Sequence, residues 1–477
     1  MNKFYITIAI PYVNGKPHIG HALEYFQADT VRRFYGLQNF ETKILSGADE
    51  NALKNVQAAE KEGIPTQEFL DRGAQIFKDA FKTLGVHLDV FQKGSDQEKH
   101  WPGVQKLWEL CDANGDIYKK SYTGLYCVGC EEFKPEKDLE NGLCPIHLKA
   151  PEKVEEENYF FKLSNYQDKL VQLIESNELL ITPANKRQEA LSFIKSGLED
   201  FSISRSLERA KGVGVPVPND PSQVIYVWFD ALAIYLTGVG FGQDEKEFES
   251  WWPADLQIIG KDINRFHTIY FPAMLLSAKL PLAKKILIHS FILGEGGVKM
   301  SKSLGNVIDP IEAAEELGLE NLRYFLLSQI PLDSDGEFSI PRYREVYNSH
   351  LANGLGNLIA RVAALAQKNQ LSAPETELSF YPKVITAIES FKFNEGAQFI
   401  WTKIAEADKK INEEKPWELE GEKAKEVLSD LSQKIRQIAY NLQPFLPETA
   451  EKILKQYSGE IKILPPLFPR IAPNDPK

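Results

Sequence analysis

Residues 4–26 read FYITIAIPYVNGKPHIGHALEYF, and this stretch decides the fold. Residues 4–10 form an apolar run, rich in Ile and Tyr, that stops at a proline, as is typical of a buried strand. An Asn-Gly-Lys-Pro turn follows, and from Ile19 onward apolar residues recur at helical spacing. A second short strand, residues 43–45, leads into an acidic pair at residues 49–50. Strand, glycine turn, helix and strand in this order predict the opening of a parallel α/β sheet.

The strand pattern of this sheet continues along the chain, with one interruption, and is then replaced by a helical pattern. The pattern is interrupted from about residue 116 to 223, and strand signals return at residues 225–228, 256–259 and 286–288. We interpret the middle as an insertion between two halves of one sheet. Beyond residue 346, leucines and other aliphatic residues alternate spacings of three and four, which predicts amphipathic helices packed in a bundle.

Composition predicts a soluble protein of several domains. A chain of 477 residues exceeds one compact core, and 43% hydrophobic with 26% charged residues is ordinary for a globular protein. The N-terminus has no signal-peptide pattern and no stretch approaches a membrane helix, so we expect a cytoplasmic location. The net charge of −12 disfavours nucleic acid at first, but residues 346–477 carry 17 basic and 17 acidic groups. A neutral C-terminal region can present a local basic face to RNA.

Three of the four cysteines cluster within 18 residues, which in an intracellular chain favours a metal site over disulfides. Cys127 and Cys130 form one short pair, and Cys144 and His147 form another thirteen residues later. This is the Cys₃His spacing of a zinc knuckle. Because all four positions are filled by protein ligands, we expect one structural Zn²⁺ per chain. Cys111 is interpreted as an apolar helix residue.

Two motifs are suited to phosphate. His18-Ile19-Gly20-His21 lies at the first turn of a helix, where unpaired amides and the helix dipole attract anions. Taken alone, the two histidines fit a structural pair or a metal pair equally well. Some 280 residues later a glycine loop, residues 294–297, precedes the string KMSKS at residues 299–303. Two lysines and two hydroxyls after mobile glycines suit a clamp on the triphosphate of a nucleotide.

Together the two motifs resemble the signatures of class I aminoacyl-tRNA synthetases, and the resemblance spans essentially the whole chain. Within that class, four further stretches resemble the methionine-specific family: residues 9–15 (AIPYVNG), 226–231 (YVWFDA), 259–262 (IGKD) and 271–275 (FPAML). The resemblance implies an α/β fold with a Rossmann-like, doubly wound parallel sheet, split by a zinc-knuckle insertion and followed by an α-helical bundle. It implies a ligase that activates methionine with ATP and Mg²⁺ and transfers it to the 3′-terminal adenosine of tRNA(Met), including initiator tRNA.

The resemblance also implies roles for individual residues. The catalytic residues would be His18, His21, Lys299 and Lys302. ATP would be bound by His18, Gly20, His21, Gly260, Asp262 and Lys302. Methionine would be bound by Ile10, Tyr12, Asp49, Trp228, Ala231, Tyr235, Ile263 and His267. The anticodon would be bound by Asn357, Arg361 and Trp417, and zinc by Cys127, Cys130, Cys144 and His147. One departure stands out, because the family commonly has Thr-Asp-Glu-His-Gly where this chain has Ala48-Asp49-Glu50-Asn51-Ala52.

We therefore expect five segments: a first catalytic half (1–115), a connective insertion (116–223), a second catalytic half (224–292), the KMSKS loop with a stem-contact region (293–345) and an anticodon-binding domain (346–477). No dimerisation domain is evident, so we expect a monomer. Sister synthetases for valine, leucine, isoleucine or cysteine are the nearest alternatives, but an insertion of about 108 residues leaves little room for an editing domain. A silent tRNA-binding protein and a nucleotidylyltransferase are the remaining alternatives.

Overall fold

The computed structural model describes residues 2–129, 132–134, 136–145, 148–300 and 305–471. The chain divides into two compact units. The first unit comprises Met1–Pro17, Glu41–Lys82 and His87–His289. The second comprises His18–Phe40, Thr83–Val86 and Ser290–Lys477. Within the described residues, no helix combines the length and the apolar character needed to cross a bilayer.

The elements are numbered here in chain order. The strands are β1 (Lys3–Ile8), β2 (Glu41–Ala48), β3 (Val90–Lys93), β4 (Ile117–Cys127), β5 (Glu132–Lys134), β6 (Glu152–Phe161), β7 (Leu180–Thr182), β8 (Phe201–Ser202), β9 (Ser204–Ser206), β10 (Pro216–Val217), β11 (Asp220–Ile225), β12 (Leu256–Gly260), β13 (Lys285–His289), β14 (Ile292–Gly294), β15 (Val298–Lys299) and β16 (Gly336–Glu337). The α-helices are α1 (Ile19–Gly36), α2 (Leu53–Glu62), α3 (Thr66–Thr83), α4 (Trp101–Ala113), α5 (Gln167–Glu175), α6 (Ala184–Lys195), α7 (Val227–Thr237), α8 (Glu245–Trp251), α9 (Phe271–Ser277), α10 (Pro310–Leu317), α11 (Leu319–Gln329), α12 (Ile340–Val346), α13 (Asn357–Lys368), α14 (Pro382–Glu389), α15 (Phe393–Glu414), α16 (Gly421–Leu442) and α17 (Pro447–Gln456).

The first unit is built on a six-stranded sheet in the order β3-β2-β1-β12-β13-β7. All neighbouring pairs in it are parallel. From β1 the chain adds β2 and β3 on one side, and later adds β12 and β13 on the other, which is a doubly wound arrangement. In such sheets ligands bind outside the carboxyl ends of the strands, at the point where the strand order reverses. The predicted parallel α/β sheet is confirmed, and its reversal point lies between β1 and β12.

The structure differs from the sequence prediction at two places in this sheet. Strand β7 lies inside residues 116–223, yet it pairs with β13, with Ile181 opposite Ile286. The range assigned to the insertion therefore supplies an edge strand of the central sheet. The apolar run at residues 225–228 is also not one strand, because β11 ends at Ile225 and α7 begins at Val227. A short apolar run does not distinguish a strand from a buried helix.

The remaining strands of the first unit form two smaller sheets. Strands β5, β4, β6 and β8 form an antiparallel sheet. Its long pair, β4 with β6, runs from Ile117 opposite Phe161 to Tyr126 opposite Glu152. Strands β10, β11 and β9 form the other sheet, which leads directly into α7. One large buried cluster of the unit joins the central sheet to helices α4, α7 and α9, and includes Tyr5, Leu45, Trp108, Phe229, Tyr235 and Phe271.

The second unit is mainly helical, and one buried ion pair anchors its first helix. Asp29 of α1 lies 2.7 Å from a guanidinium nitrogen of Arg323 in α11, and both side chains are almost fully buried. Arg323 also donates to the carbonyl oxygens of Phe445 (2.7 Å) and Pro444 (2.9 Å). A buried charge requires such partners, because an unpaired one carries a large desolvation penalty. The interaction fixes α1, α11 and the segment before α17 to one another.

The predicted helical bundle is confirmed by α13, α15, α16 and α17. Nearly all of the residues predicted to face its core are buried: Leu351, Leu355, Leu358 and Val362 in one set, and Leu428, Leu431, Ile435, Ile438 and Leu442 in the other. Leu365, also predicted in the first set, is only partly buried. A π-helical segment, Tyr347–Gly356, precedes α13. The spacing of the leucines predicted the buried face but not this local widening of the helix.

Candidate active site

Three aromatic rings form a wall beside the carboxyl end of β1. The ring of Trp228, in the first turn of α7, stacks on Phe266 with centroids 3.7 Å apart and planes 6° apart. The edge of Tyr12 meets Trp228 at 6.3 Å and 89°. Ile10 and Ile263, both predicted to contact an amino acid here, pack against the same apolar core. An apolar, aromatic surface of this kind suits an unbranched thioether side chain.

A buried histidine contributes the polar part of this surface. His267 Nδ1 lies 3.0 Å from the Ile263 carbonyl, and its Nε2 lies 2.8 Å from the Tyr235 hydroxyl. Burial lowers the pKa of His267 to about 4, with the Ile263 carbonyl opposing the shift. The imidazole is therefore neutral at pH 7. Nδ1–H donates to the carbonyl, and Nε2 accepts from Tyr235.

Asp49 lies at the carboxyl end of β2 and is 2% exposed. Its amide N–H donates to the Pro11 carbonyl at 2.9 Å. The Asn55 side chain donates to the carbonyls of Asp49 (2.9 Å) and Glu50 (3.1 Å). These bonds hold the Asp49 backbone beside the segment that carries Tyr12. The structure thus places Asp49 and Tyr12 together, as a pocket for the amino group and side chain of one amino acid requires.

Glu50, to which the sequence assigned no role, is fully buried beside Asp49. Its Oε2 accepts from the Ser95 amide (3.0 Å) and hydroxyl (2.6 Å), and Lys93 Nζ lies 3.5 Å from Oε1. Burial raises the pKa of Glu50, and Ser95 and Lys93 partly oppose the shift. The partners lie more than 40 residues away along the chain, so no sequence spacing indicated them.

Gly260 ends β12 at the reversal point of the sheet. A Cβ built at this position would lie 2.7 Å from Asp262 Oδ1, closer than two such atoms approach. Glycine therefore permits the carboxylate of Asp262, an exposed residue, to fold back over the strand end. The two residues predicted to bind nucleotide lie together, at the place where doubly wound sheets bind ligands.

In the second unit, His18 and His21 lie at the start of α1 with ring centroids 3.9 Å apart. The Gly20 amide donates to His18 Nδ1, and the His18 amide donates to His21 Nδ1, each at 3.1 Å. Since both Nδ1 atoms accept, each neutral imidazole carries its proton on Nε2. The Ile19 amide donates to the Ile308 carbonyl at 3.2 Å, which joins this turn to the segment after the KMSKS string.

The glycine loop of the second unit is exposed from Glu295 to Lys299. Gly296 and Gly297 both have φ of 74°, a left-handed conformation that favours glycine. The loop is held by the Gly296 amide, which donates to Glu337 Oε1 at 3.1 Å, and by Asn306, which donates to the Lys299 carbonyl at 3.3 Å. Lys302 and the other residues of the string after Met300 lie outside the described residues, which resume at residue 305.

The proposed zinc ligands are only partly described. Cys127 ends β4, and Cys144 lies in a turn closed by the Leu148 amide donating to the Cys144 carbonyl at 2.7 Å. Both thiols are buried, as structural zinc ligands are. Cys130 and His147 lie outside the described residues. Within the described part of the chain, no group of three or more potential ligand side chains could hold a metal ion.

The three residues predicted to contact RNA lie on the helical bundle. The Arg361 guanidinium lies 4.8 Å from the ring centroid of Trp417, and it donates to Asn412 at 2.7 Å. Trp417 is 41% exposed, which is unusual for tryptophan. Asn357 is exposed one turn before Arg361 on α13. The structure thus places an exposed aromatic plane and a guanidinium together, a combination suited to stacking on unpaired bases.

Comparison with known proteins identifies the class. A family model described as "tRNA synthetases class I (M)" matches residues 4–150 and 134–363. These residues include the central sheet, the pocket and both phosphate motifs, so the match covers the site as well as the fold. The class is that of the class I aminoacyl-tRNA synthetases.

Individual relatives narrow the class to one family. The methionine–tRNA ligase of Clostridium acetobutylicum is 41% identical over 480 residues, covering 96% of this chain and 74% of the relative. That of Brucella suis biovar 1 is also 41% identical, covering 95% and 91%. The chain belongs to the methionine–tRNA ligase family and is an aminoacyl-tRNA ligase.

Solved structures agree with this assignment. The Mycobacterium tuberculosis methionyl-tRNA synthetase in complex with methionyl-adenylate superposes with a TM-score of 0.90 at 35% identity, over 98% of this chain and 99% of that one. The apo form of the same enzyme gives a TM-score of 0.85 at 32% identity, over 99% of each chain. The predicted family and function are confirmed.

Proposed function

We propose that the chain catalyses the two-step reaction of its family through the residues described above. A methionine carboxylate oxygen attacks the α-phosphorus of ATP, the α–β bridging bond breaks, and methionyl-adenylate and pyrophosphate form. A hydroxyl of the 3′-terminal adenosine of tRNA(Met), initiator tRNA included, then attacks the acyl carbon. The acyl–phosphate bond breaks, AMP leaves, and the hydroxyl proton is released. Positioning and charge stabilisation supply most of the rate, as in other phosphoryl-group chemistry.

The observation that carries this proposal is the aromatic wall of Trp228, Phe266 and Tyr12 together with a buried, neutral histidine. Trp228, Phe266 and Tyr12 offer apolar faces to the methionine thioether, with Ala231, Ile10 and Ile263 at the edges. His267 and Tyr235 satisfy each other's hydrogen bonds, so they make the pocket polar enough for sulfur without adding charge. The buried Asp49 carboxylate would bind the methionine ammonium.

The phosphates would be bound by the two signature motifs. His18 and His21 both present Nε2–H donors at the N-terminus of α1, which favours anions. Gly260 and Asp262 would bind the adenosine part of ATP. Lys299 and Lys302 would neutralise the pyrophosphate as it leaves, together with the Mg²⁺ that accompanies ATP.

Zinc would be held by Cys127, Cys130, Cys144 and His147. The burial of the two described thiols and the tight turn at Cys144 support this donor set. Thiolate and imidazole ligands are the ones that Zn²⁺ prefers, and four protein ligands leave no open position. The metal would then stabilise the insertion and take no part in the chemistry.

Anticodon recognition would fall to Asn357, Arg361 and Trp417. Stacking of one base on Trp417, with Arg361 and Asn357 reading its edge, uses the exposed surface of the bundle. Since ATP, methionine and tRNA meet in the cytoplasm, that is the proposed location. A monomer provides every residue named above.

The proposal is tested by ATP–pyrophosphate exchange with each of the twenty amino acids. Methionine should support exchange best, because the stacked aromatic wall suits an unbranched, apolar side chain. Faster exchange with valine, isoleucine or cysteine would assign the chain to a different substrate. Exchange with methionine but no charging of tRNA(Met) would restrict the activity to the first step.

A further inference from the structure

A chain of hydrogen-bonded polar side chains, in which only Asn51 is partly exposed, joins two sides of the proposed methionine pocket. Asn51 Nδ2 lies 2.7 Å from Asp230 Oδ2, and the other carboxylate oxygen lies 2.6 Å from His100 Nε2. His100 Nδ1 lies 2.7 Å from the Thr237 hydroxyl. Asn51 also donates to the Gly94 carbonyl at 2.8 Å. Asp230 is 1% exposed and His100 is fully buried.

The donors and acceptors of this network match one another completely. The two N–H groups of the Asn51 amide go to Gly94 and Asp230, and both Asp230 oxygens accept. His100 donates through Nε2–H to Asp230 and accepts at Nδ1 from the Thr237 hydroxyl. A buried carboxylate with a donor on each oxygen is stable, whereas loss of one donor leaves an unsatisfied charge. The network therefore favours the observed arrangement of residues 51 and 230.

The network ends on the two elements that carry the proposed binding residues. Asn51 lies two residues after Asp49, in the loop at the carboxyl end of β2. Asp230 lies in α7, between Trp228 and Ala231. Movement of one element relative to the other would change the distance between the group for the methionine ammonium and the wall for its side chain.

We infer that Asn51 and Asp230 are positioning residues for methionine, and that their hydrogen bond sets the Asp49 carboxylate relative to the Trp228 ring. This inference rests on the proposed function. It also explains how the chain works with asparagine at residue 51, since the amide supplies the donor that Asp230 requires. Neither residue contacts the reacting atoms, so their effect is on methionine binding more than on the chemical step.

The test uses the full chain and changes which residue of the Asn51–Asp230 pair donates the hydrogen bond and which accepts it. Asn51→Asp places two carboxylates against each other, and the KM for methionine in pyrophosphate exchange should rise by about tenfold or more. The KM for ATP and kcat should change by less than roughly threefold. Asp230→Asn should also weaken methionine binding, because the Asn51 donor or the His100 donor then faces an amide N–H.

The double variant, Asn51→Asp with Asp230→Asn, restores the pairing in the opposite direction. The new amide at position 230 can donate to the new carboxylate at position 51, so the KM should recover about threefold or more relative to Asn51→Asp alone. Recovery is partial, because the Gly94 carbonyl loses the donor that Asn51 supplies.

Three further measurements separate the possible outcomes. Asn51→Ala removes the donor without adding charge and should fold, with a KM rise of roughly threefold to tenfold. Asn177→Asp, at an exposed position of the same unit, is the control and should match the parent. Variants with lowered melting temperature but parental KM would overturn the inference, as would a double variant no better than Asn51→Asp. A parent chain that shows no methionine-dependent exchange would instead refute the proposed function.

Discussion

The pocket proposed to bind methionine and the surfaces proposed to bind phosphate and RNA are built in opposite ways. The pocket residues Trp228, Phe266 and His267 are stacked or hydrogen-bonded to their neighbours, and Phe266 and His267 are buried while Trp228 is partly buried. Lys299 in the glycine loop is exposed, and Trp417 on the bundle is 41% exposed. Under the proposed function, the chain would bind the methionine side chain against its core and would bind ATP and tRNA at exposed side chains.

The difference follows from what each substrate offers. The methionine side chain is apolar apart from its thioether, so recognition of that side chain depends on apolar area removed from water and on a preformed shape. ATP and tRNA provide charge and flat base surfaces, which exposed lysine, arginine and tryptophan can reach without a cavity. Pocket residues should therefore support both folding and binding, whereas exposed residues should support activity alone. Four substitutions test this distinction.

The largest effect is expected in the KMSKS string. Lys302→Ala should lower kcat of methionine-dependent pyrophosphate exchange by about 10²–10³-fold, because the lysine acts on charge that develops in the transition state. The KM for methionine should stay within roughly threefold of the parent. Lys246→Ala, at an exposed position of α8, is the control. A variant with altered ATP affinity but unchanged kcat would contradict the transition-state role.

A smaller effect is expected at the bundle surface. Trp417→Ala should reduce aminoacylation of a tRNA with a CAU anticodon by about tenfold to a hundredfold, since a stacked base contributes ~1–3 kcal/mol. Exchange and melting temperature should not change, because the ring is exposed and packs mainly under the Arg361 guanidinium. Lys409→Ala on α15 serves as a control at an exposed position. Equal losses of exchange and aminoacylation would show that Trp417 has a structural role.

The sequence predicted some strands and contacts of the molecule and missed others, for physical reasons in each case. Strands β12 and β13 were predicted because a buried parallel strand is a continuous apolar run. Strand β7 was missed because three residues carry no periodic signal. Phe266 and the His100–Asp230 pair were missed because their partners are distant in sequence, and contact between such residues exists only after folding.

His267 provides a test of the expectation that pocket residues support folding. Since burial lowers the pKa of His267 to about 4, the unfolded chain binds a proton there more readily than the folded chain. The stability that neutral His267 provides is present above its unfolded pKa of about 6.5 and is lost as pH falls towards 4. Between pH 7 and pH 5 this loss should be about 2 kcal/mol.

The measurement is urea unfolding at both pH values for the parent and for His267→Gln, which cannot take up a proton. The variant should lack that part of the pH dependence, although it is less stable at pH 7. His87→Gln is the control, because the His87 side chain is 64% exposed. If the parent and His267→Gln had the same pH dependence of stability, burial would not lower the pKa of His267 in the folded chain.

The smallest effect is expected from the ring that the sequence did not identify. Phe266→Leu keeps an apolar side chain of similar size but removes the face that stacks on Trp228 at 3.7 Å. Aromatic pairs contribute ~0.5–1.5 kcal/mol beyond their buried area, so the KM for methionine should rise by about twofold to tenfold. The kcat should change little, because Phe266 belongs to the side-chain wall of the pocket and carries no group that could bind phosphate. Since the pair is also part of the core, the melting temperature should fall as well.

If Phe266 only supported folding, Trp228 would keep its orientation and the KM would stay parental while the melting temperature fell. If the KM rose with no loss of stability, the pocket would resemble the exposed surfaces, and the distinction between the two kinds of site would fail.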